Sequence, residues 1–291
     1  MKLSIVIVNM NHLNKLKNLF ISLYGAGQPS CSHEIILIDN CSTDGSVEYI
    51  EALYPEAIIQ RNTHIQGFAT NNNQGVRLAS GEYIFICNPD VIVLPGAVDS
   101  LLSYYEQRSE VGILCPQLLN SDMTHQASVR RFHNLQVLVS RAFSRTKDTS
   151  ENPIVRRYLM LDFDRNQIQP IDWALGAAML LHRTVYETLK GFDEKFFLYV
   201  EDVDLCLRCW QAGYEVVYYP DAICIHDHQK GSARGINRMV WYHLKSMVYF
   251  FYKHQLLWRP AERFEKYQQP ELVKGVSKSK WLSKPLLHNA V

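Results

Sequence analysis

Short apolar runs recur through the first 118 residues, and a stretch of helical spacing separates each from the next. The runs are "LSIVIV" (3–8), "EIILID" (34–39), "AIIQ" (57–60), "EYIFIC" (82–87) and "VGILCP" (111–116). Between them, Asn11 to Tyr24 places Leu13, Leu16, Leu19, Phe20 and Leu23 on one helical face; "STDGSVEYIEAL" (42–53) reads as a capped helix; and Asn71–Ala79 and Pro95–Gln107 read as two more. Continuous apolar runs suit strands buried on both faces, and connections of this length predict βαβ units in a mostly parallel sheet with helices on both sides. In such sheets ligands sit beyond the carboxyl ends of the strands. Asn9, Asp39 and "NPD" (88–90) all fall there.

Residues 119–170 are less regular, carry a basic cluster (Arg130, Arg131, Arg141, Arg145, Lys147, Arg156, Arg157) and read as loops with a short helix. Order returns at "WALGAAMLLHRTVYETLKGFD" (173–193), a strand and a helix closed by Gly191. A helix from Glu201 to Ala212 stops at Gly213, and "EVVYYPDAICIHDH" (215–228) reads as two short strands ending in histidines. Ile236 to Trp258 is a long aromatic-rich helical pattern with a basic, polar end. The chain thus divides into a first half (1–118), a second half of the same domain (119–229) and a basic helical extension (230–291).

At 291 residues with 47% hydrophobic content, the chain can bury a large core. Seven cysteines (31, 41, 87, 115, 206, 209, 224), an odd number at scattered spacings, argue for reduced thiols in a cytoplasm rather than a disulfide framework. The opening apolar run is too short for a signal peptide, and nothing approaches the roughly 18 apolar residues of a membrane span. The net charge of +1 conceals an asymmetry: residues 230–291 hold twelve basic and three acidic side chains, a net +9, against −8 for the rest. A basic tail on an acidic body speaks of partners. It lacks a base-reading motif, and the body would repel a nucleic-acid backbone, so nucleic acid is excluded as a partner.

Four constellations bear chemistry. Asp39 can accept from the N3–H of uracil or thymine, and equally can be a turn aspartate. "GFATNNNQGV" (67–76) offers glycines for close approach and amides at a helix start, suited to a ribose or diphosphate, or simply to capping. Asp90, fixed by Pro89 after an apolar strand, is placed to hold a divalent cation, with His226 or His228 completing the site. The stretch "FFLYVEDVDLCLRCW" (196–210) packs Glu201, Asp202 and Asp204 behind five apolar residues, where a partly desolvated acid serves as general base. Neither GxxxxGK[ST] nor GxGxxG occurs.

In order, "SIVIVNMN", "EIILIDNCSTDGS", "GFATNNNQG", "NPD" and "GFDEKFFLYVEDVDLCLRCWQAGY" resemble the family 2 glycosyltransferases, across roughly residues 1–230. The resemblance implies the nucleotide-sugar-binding GT-A fold, a Rossmann-like α/β architecture. It also implies an inverting mechanism: Asp39 on the pyrimidine, Asn72 and Asn73 lining the nucleotide site, Asp90 and His226 on Mg2+ or Mn2+, and Asp202 of the Glu201–Asp202 pair as catalytic base. Trp173 matches the position that shapes the donor and acceptor pocket, and Asn9 and Arg130 join the donor-binding set. "SVRRFHN" (128–134), "FFLYVEDVDLCLR" and "WYHLKS" (241–246) look most like bacterial rhamnosyltransferases of O-antigen and cell-wall assembly. This implies a dTDP-rhamnose donor, a lipid-linked glycan acceptor and a peripheral place on the anionic inner face of the cell membrane. A UDP-sugar donor, or a non-catalytic sugar-nucleotide-binding relative, are the competing readings. Asn88 stands where many relatives carry a second carboxylate, and the processive QxxRW signature is absent, favouring single addition.

Overall fold

The computed structural model describes residues 1–133, 136, 137, 140, 152–227 and 238–255. Among them the strands are β1 (Leu3–Asn9), β2 (His33–Asp39), β3 (Ile58–Arg61), β4 (Tyr83–Cys87), β5 (Val91–Val93), β6 (Val111–Leu119), β7 (Val129–Arg130), β8 (Gln169–Pro170), β9 (Trp173–Ala174), β10 (Ala178–His182) and β11 (Glu215–His226). The helices are α1 (Leu13–Tyr24), α2 (Ser46–Leu53), α3 (Phe68–Leu78), α4 (Ala97–Glu106), α5 (Pro153–Tyr158), α6 (Arg183–Thr188), α7 (Glu201–Gln211) and α8 (Arg238–Lys253).

The main sheet runs β3-β2-β1-β4-β10-β6-β11-β5, with β8 on β11, and β7 pairs β9 separately. β3, β2, β1 and β4 are parallel, as are β6 and β11. The side-chain period of two sends alternate residues into two cores. Ile5, Ile7, Phe85, Leu114 and Leu180 point to one side, with α1, α2 and α4. Val6, Ile84, Ile86, Ile113, Met179 and Leu181 point to the other, with α3, α6, α7 and α8. Gly75 lets α3 lie close on β1: a Cβ there would stand 2.3 Å from Val6 Cγ1.

The strand in the 173–193 stretch, β10, inserts antiparallel between β4 and β6, a direction the sequence left open. Period-two burial looks identical in either direction, so direction was invisible locally. Residues 215–228 are not two strands: β11 is a single strand through His226, with its register against β6 shifting between Tyr219 and Ile223, around Pro220. The irregularity accommodates a residue without a ladder N–H. α3 begins at Phe68, three residues before the amide run suggested. His228 and Trp258 lie outside the described residues, as does the tail beyond Gln255.

Candidate active site

The site forms around the turn that leaves β4, which bonds the residue before β10 and leads into β5 on the edge of β11. Asn88 N–H donates to the Ala177 carbonyl at 2.8 Å, and Val91 N–H to the Asn88 carbonyl at 3.2 Å, closing a turn that projects Asp90. β5 then runs back along β11 with Val91 opposite His226, and Asp227 N–H donates to the Asp90 carbonyl at 2.9 Å. This register places His226 Nε2 3.4 Å from Asp90 Oδ1. Gln126 orients the ring. Its Nε2 donates to the His226 carbonyl (3.1 Å) and to Asn120 Oδ1 (3.0 Å), which leaves its Oε1 to face His226 Nδ1 at 2.6 Å. Nδ1 therefore carries a proton, and Nε2 is the nitrogen turned toward Asp90.

Burial would raise the Asp90 carboxyl. The hydrogen bond and charge of His226 and the charge of Lys15 outweigh that, holding it below the usual carboxylate range. One carboxylate oxygen and one imidazole nitrogen fit Mn2+ or Mg2+ in a site that expects phosphate oxygens and water to fill the other positions. Among the described residues no group of three or more His, Cys, Asp or Glu side chains is gathered for a metal.

At the paired ends of β1 and β2, Asn9 faces Asp39. Asn9 Nδ2 approaches Ser46 Oγ (2.8 Å), Ser42 Oγ (3.0 Å) and Asp39 Oδ1 (3.4 Å), while Ser42 N–H donates to Asp39 Oδ2 at 3.1 Å. Asp39 thus does serve its turn, and it is held at the mouth of the strand pair. Asn9 Oδ1 is buried and accepts no hydrogen bond from the described residues.

The asparagine run is spent inward. Asn72 Nδ2 donates back to the Phe68 carbonyl at 3.0 Å. Asn73 takes a different part from the lining role expected of it. Its nitrogen donates to the Phe192 carbonyl (2.9 Å) and Glu194 Oε1 (2.9 Å), and its oxygen accepts from Tyr186 OH (2.6 Å) and Phe192 N–H (3.0 Å). Both ends of its amide are consumed in tying α3 to the turn before α7.

The three clustered acids meet three fates. Tyr199 and Val200, with φ of 68° and 71°, are both left-handed immediately before Glu201. For a β-branched residue that is a genuine outlier, of the kind found where a site over-determines its backbone. The strained loop is held by Phe68 N–H on the Phe197 carbonyl (2.9 Å) and Ser246 Oγ on the Leu198 carbonyl (2.9 Å). Asp202, half-buried, accepts from Gly176 N–H at 3.0 Å and Val203 N–H at 2.8 Å. Burial raises its carboxyl; these N–H groups and the charge of Arg130 temper the rise without cancelling it. Glu201 is buried, and desolvation followed by the charge of Asp202 drives its carboxyl well up. Asp204 is fully buried against Arg208 Nε (2.7 Å), Lys253 Nζ (2.7 Å) and His254 Nε2 (2.8 Å). Desolvation pushes that carboxyl up, but His254, Arg208 and Lys253 together bring it down to about 2.

Arg130 and Trp173 are cross-strand partners on β7 and β9, with the Arg130 guanidinium carbon 5.7 Å from the Trp173 ring centroid. Trp173 Nε1 donates to the Arg131 carbonyl at 2.7 Å. The two halves of the site connect through a short covalent and hydrogen-bonded path: Asp202 to Gly176, Ala177 to Asn88, and on to Asp90. Sequence reasoning missed Gln126, Gly176, Lys15, Lys253 and His254. Gln126 stands two residues before "SVRRFHN", and no spacing signal tied the others to the site.

Residues 4–174 match the glycosyl transferase family 2 model. The chain belongs to that family. It is 26% identical over 255 residues to an N-acetylglucosaminyl-diphospho-decaprenol L-rhamnosyltransferase of Mycobacterium tuberculosis, covering 79% of this chain and 78% of that protein. It is 26% identical over 270 residues to the rhamnosyltransferase WbbL of Escherichia coli, covering 87% of this chain and 94% of that one. Among solved structures, it is similar to a Pyrobaculum calidifontis mannosyltransferase in complex with GDP-Man and Mn2+, with a TM-score of 0.58 and 18% identity, covering 87% of this chain and 64% of that one. The fold is the α/β GT-A architecture and the protein is a glycosyltransferase.

Proposed function

We propose that this glycosyltransferase moves a single L-rhamnose from dTDP-L-rhamnose to a lipid-linked saccharide, inverting the anomeric carbon. The observation that carries this reading is the tethering of a cation-suited Asp90–His226 couple to a raised, hydrogen-bonded Asp202 at one end of the sheet. Asp90 and His226 would hold a divalent cation, which when bound supplies charge stabilisation to the departing diphosphate. Asn9 and Asp39 sit where a pyrimidine would be received, and Arg130 with Trp173 walls the pocket on the Asp202 side.

Asp202 takes the proton of the acceptor hydroxyl while that oxygen attacks the anomeric carbon from the face opposite the nucleotide. The bond to the diphosphate breaks with its electron pair leaving on the phosphate oxygen, and Asp202 ends protonated. Gly176 N–H and Val203 N–H hold the carboxylate in place through the transfer. Buried Glu201 has its carboxyl raised by desolvation and by the charge of Asp202, which favours its neutral form beside the base.

The donor is tested by incubating the protein and Mn2+ with dTDP-rhamnose and with UDP-glucose, UDP-galactose and UDP-N-acetylglucosamine, and measuring nucleoside diphosphate release. dTDP release from dTDP-rhamnose alone is expected. UDP release from any of the others at a higher rate would transfer the assignment to that sugar.

We further infer a cytoplasmic enzyme peripheral on the anionic inner membrane face, a place consistent with seven free thiols. No helix among the described residues is long and apolar enough to cross a membrane. On α8, Trp241, Leu244, Val248 and Tyr252 recur at helical spacing and are exposed, Trp241 at 71% and Tyr252 at 77%, with Arg238 and Lys245 beside them. An apolar stripe rimmed by cations suits an interface, and each basic residue near it contributes roughly 1 kcal/mol. Flotation with anionic vesicles should show binding that a Trp241→Ser/Val248→Ser double variant weakens at least about tenfold. Undiminished binding by that variant would remove α8 from the contact.

A further inference from the structure

One cation stands inside this site with no part in the chemistry above. Lys15 projects from α1 beside the buried stripe of Leu16, Leu19, Phe20 and Leu23, and the first turn of α1 is fastened by Leu13 N–H on Asp44 Oδ2 at 2.8 Å. Its Nζ donates to the Asp227 carbonyl at 2.7 Å, and lies 3.5 Å from Asp90 Oδ2 and 3.8 Å from Asp227 Oδ2. The side chain is only 19% exposed, so the ammonium is not a wandering surface charge. The two oxygens of Asp90 therefore face in two cationic directions: Oδ1 toward Nε2 of His226, Oδ2 toward Lys15. The amide of Asn88 adds no charge where a second carboxylate would draw the divalent ion harder.

We propose that Lys15 is a second, built-in cationic anchor for the diphosphate of the nucleotide sugar, placed beside the Asp90–His226 cation site and sharing its load. The inference rests on the nucleotide-sugar reading and adds a residue to it. A lysine suits the task because a compact ammonium on a flexible stem can exchange the Asp227 carbonyl for a phosphate oxygen by rotating its terminal bonds, keeping the Asp90 contact meanwhile. The position has a consequence for the metal as well. A fixed positive charge on the far oxygen of Asp90 opposes the divalent ion, so the ion binds weakly alone and well only when the diphosphate's negative charges accompany it. A lysine that merely neutralised Asp90 and Asp227 would support folding but would not touch the nucleotide.

The test uses the full chain and titration calorimetry with dTDP and with UDP, each in EDTA and in Mn2+, on the wild type, Lys15→Met and Lys15→Arg. Thermal unfolding of each variant confirms the fold, and Lys15→Arg keeps the charge should the Met variant fail to fold. In EDTA the wild type should still bind nucleoside diphosphate, Lys15→Met should bind about ten- to a hundredfold more weakly, and Lys15→Arg should retain most of the affinity. Mn2+ alone, titrated without nucleotide, should bind Lys15→Met more tightly than wild type. Equal nucleoside diphosphate affinity of wild type and Lys15→Met in EDTA would overturn the anchor, as would wild-type binding seen only with Mn2+. A wild type that binds neither dTDP nor UDP even with Mn2+ would overturn the nucleotide-sugar reading itself.

Discussion

Asp202→Asn should lower kcat by about two to four orders of magnitude while donor affinity stays near that of the wild type. The substitution keeps the size of the side chain and keeps an oxygen for Gly176 N–H, the contact that holds the group at 3.0 Å. It removes the basic lone pair that receives the acceptor proton, and it sets an amide nitrogen in place of the oxygen that accepts from Val203 N–H at 2.8 Å. The wild-type pH profile carries a matching sign. The base works deprotonated and its carboxyl is raised by burial, so activity falls as the pH drops through that raised value, above where an exposed aspartate would titrate. The acid limb should vanish from the residual activity of Asp202→Asn. Stopped assays for kcat across pH, with calorimetric donor binding alongside, check both. An equal collapse of donor binding would make Asp202 a donor-site residue instead of the base.

Asp204→Asn should unfold the protein more readily, by about 3–5 kcal/mol, though it lies only two residues from the proposed base. The Asp204 side chain is 0% exposed and sits among Arg208, Lys253 and His254. Neutralising it leaves three cationic or hydrogen-bonding groups facing an amide in a dry place. Lys253 keeps Asp193 at 2.7 Å, and Arg208 keeps the carbonyls of Leu189 and Gly191, so the low end of that range is expected. The same carboxyl carries a pH signature. Its folded value of about 2 lies below its ordinary 3.8, so its contribution is complete above about pH 5 and is lost as pH falls from about 4 to 2. Near two pH units of depression correspond to about 2 kcal/mol, which Asp204→Asn should erase from the acid side of a denaturant-unfolding series. An unchanged acid profile in the variant would show that Asp204 is not the group responsible. The larger meaning is architectural. α8 reaches back through Lys253 and His254 to α7, and Ser246 holds the strained loop that starts it, so the helix with the exposed stripe also braces the carboxylates.

The residues that announced themselves in sequence did so through local periodicity. "LSIVIV", "EIILID" and "EYIFIC" are buried strands because an unbroken apolar run has nowhere to go but between two layers, and the polar residue ending each run falls at the strand mouth by chain connectivity alone. Asn9, Asp39 and Asp90 were legible for that reason, and so was the start of α7 at Glu201. Their neighbours were not. The antiparallel course of β10, the partnership of Gln126 with His226, the Lys15 ammonium beside Asp90 and Asp227, and the use of Asn73 as a brace all join residues from 75 to 212 positions apart.

The three acids of "EDVD" show where the boundary falls. The chain by itself determined that Glu201 and Asp204 would share one side of a helix start at i, i+3 while Asp202 turned about 100° away, whatever surrounds them. Only the folded molecule decided what each became, because a carboxyl's charge state is set by desolvation and by the cations and N–H groups within a few ångströms. Glu201 was left among apolar neighbours, Asp202 was met by Gly176, and Asp204 was met by a lysine and a histidine some fifty residues further along.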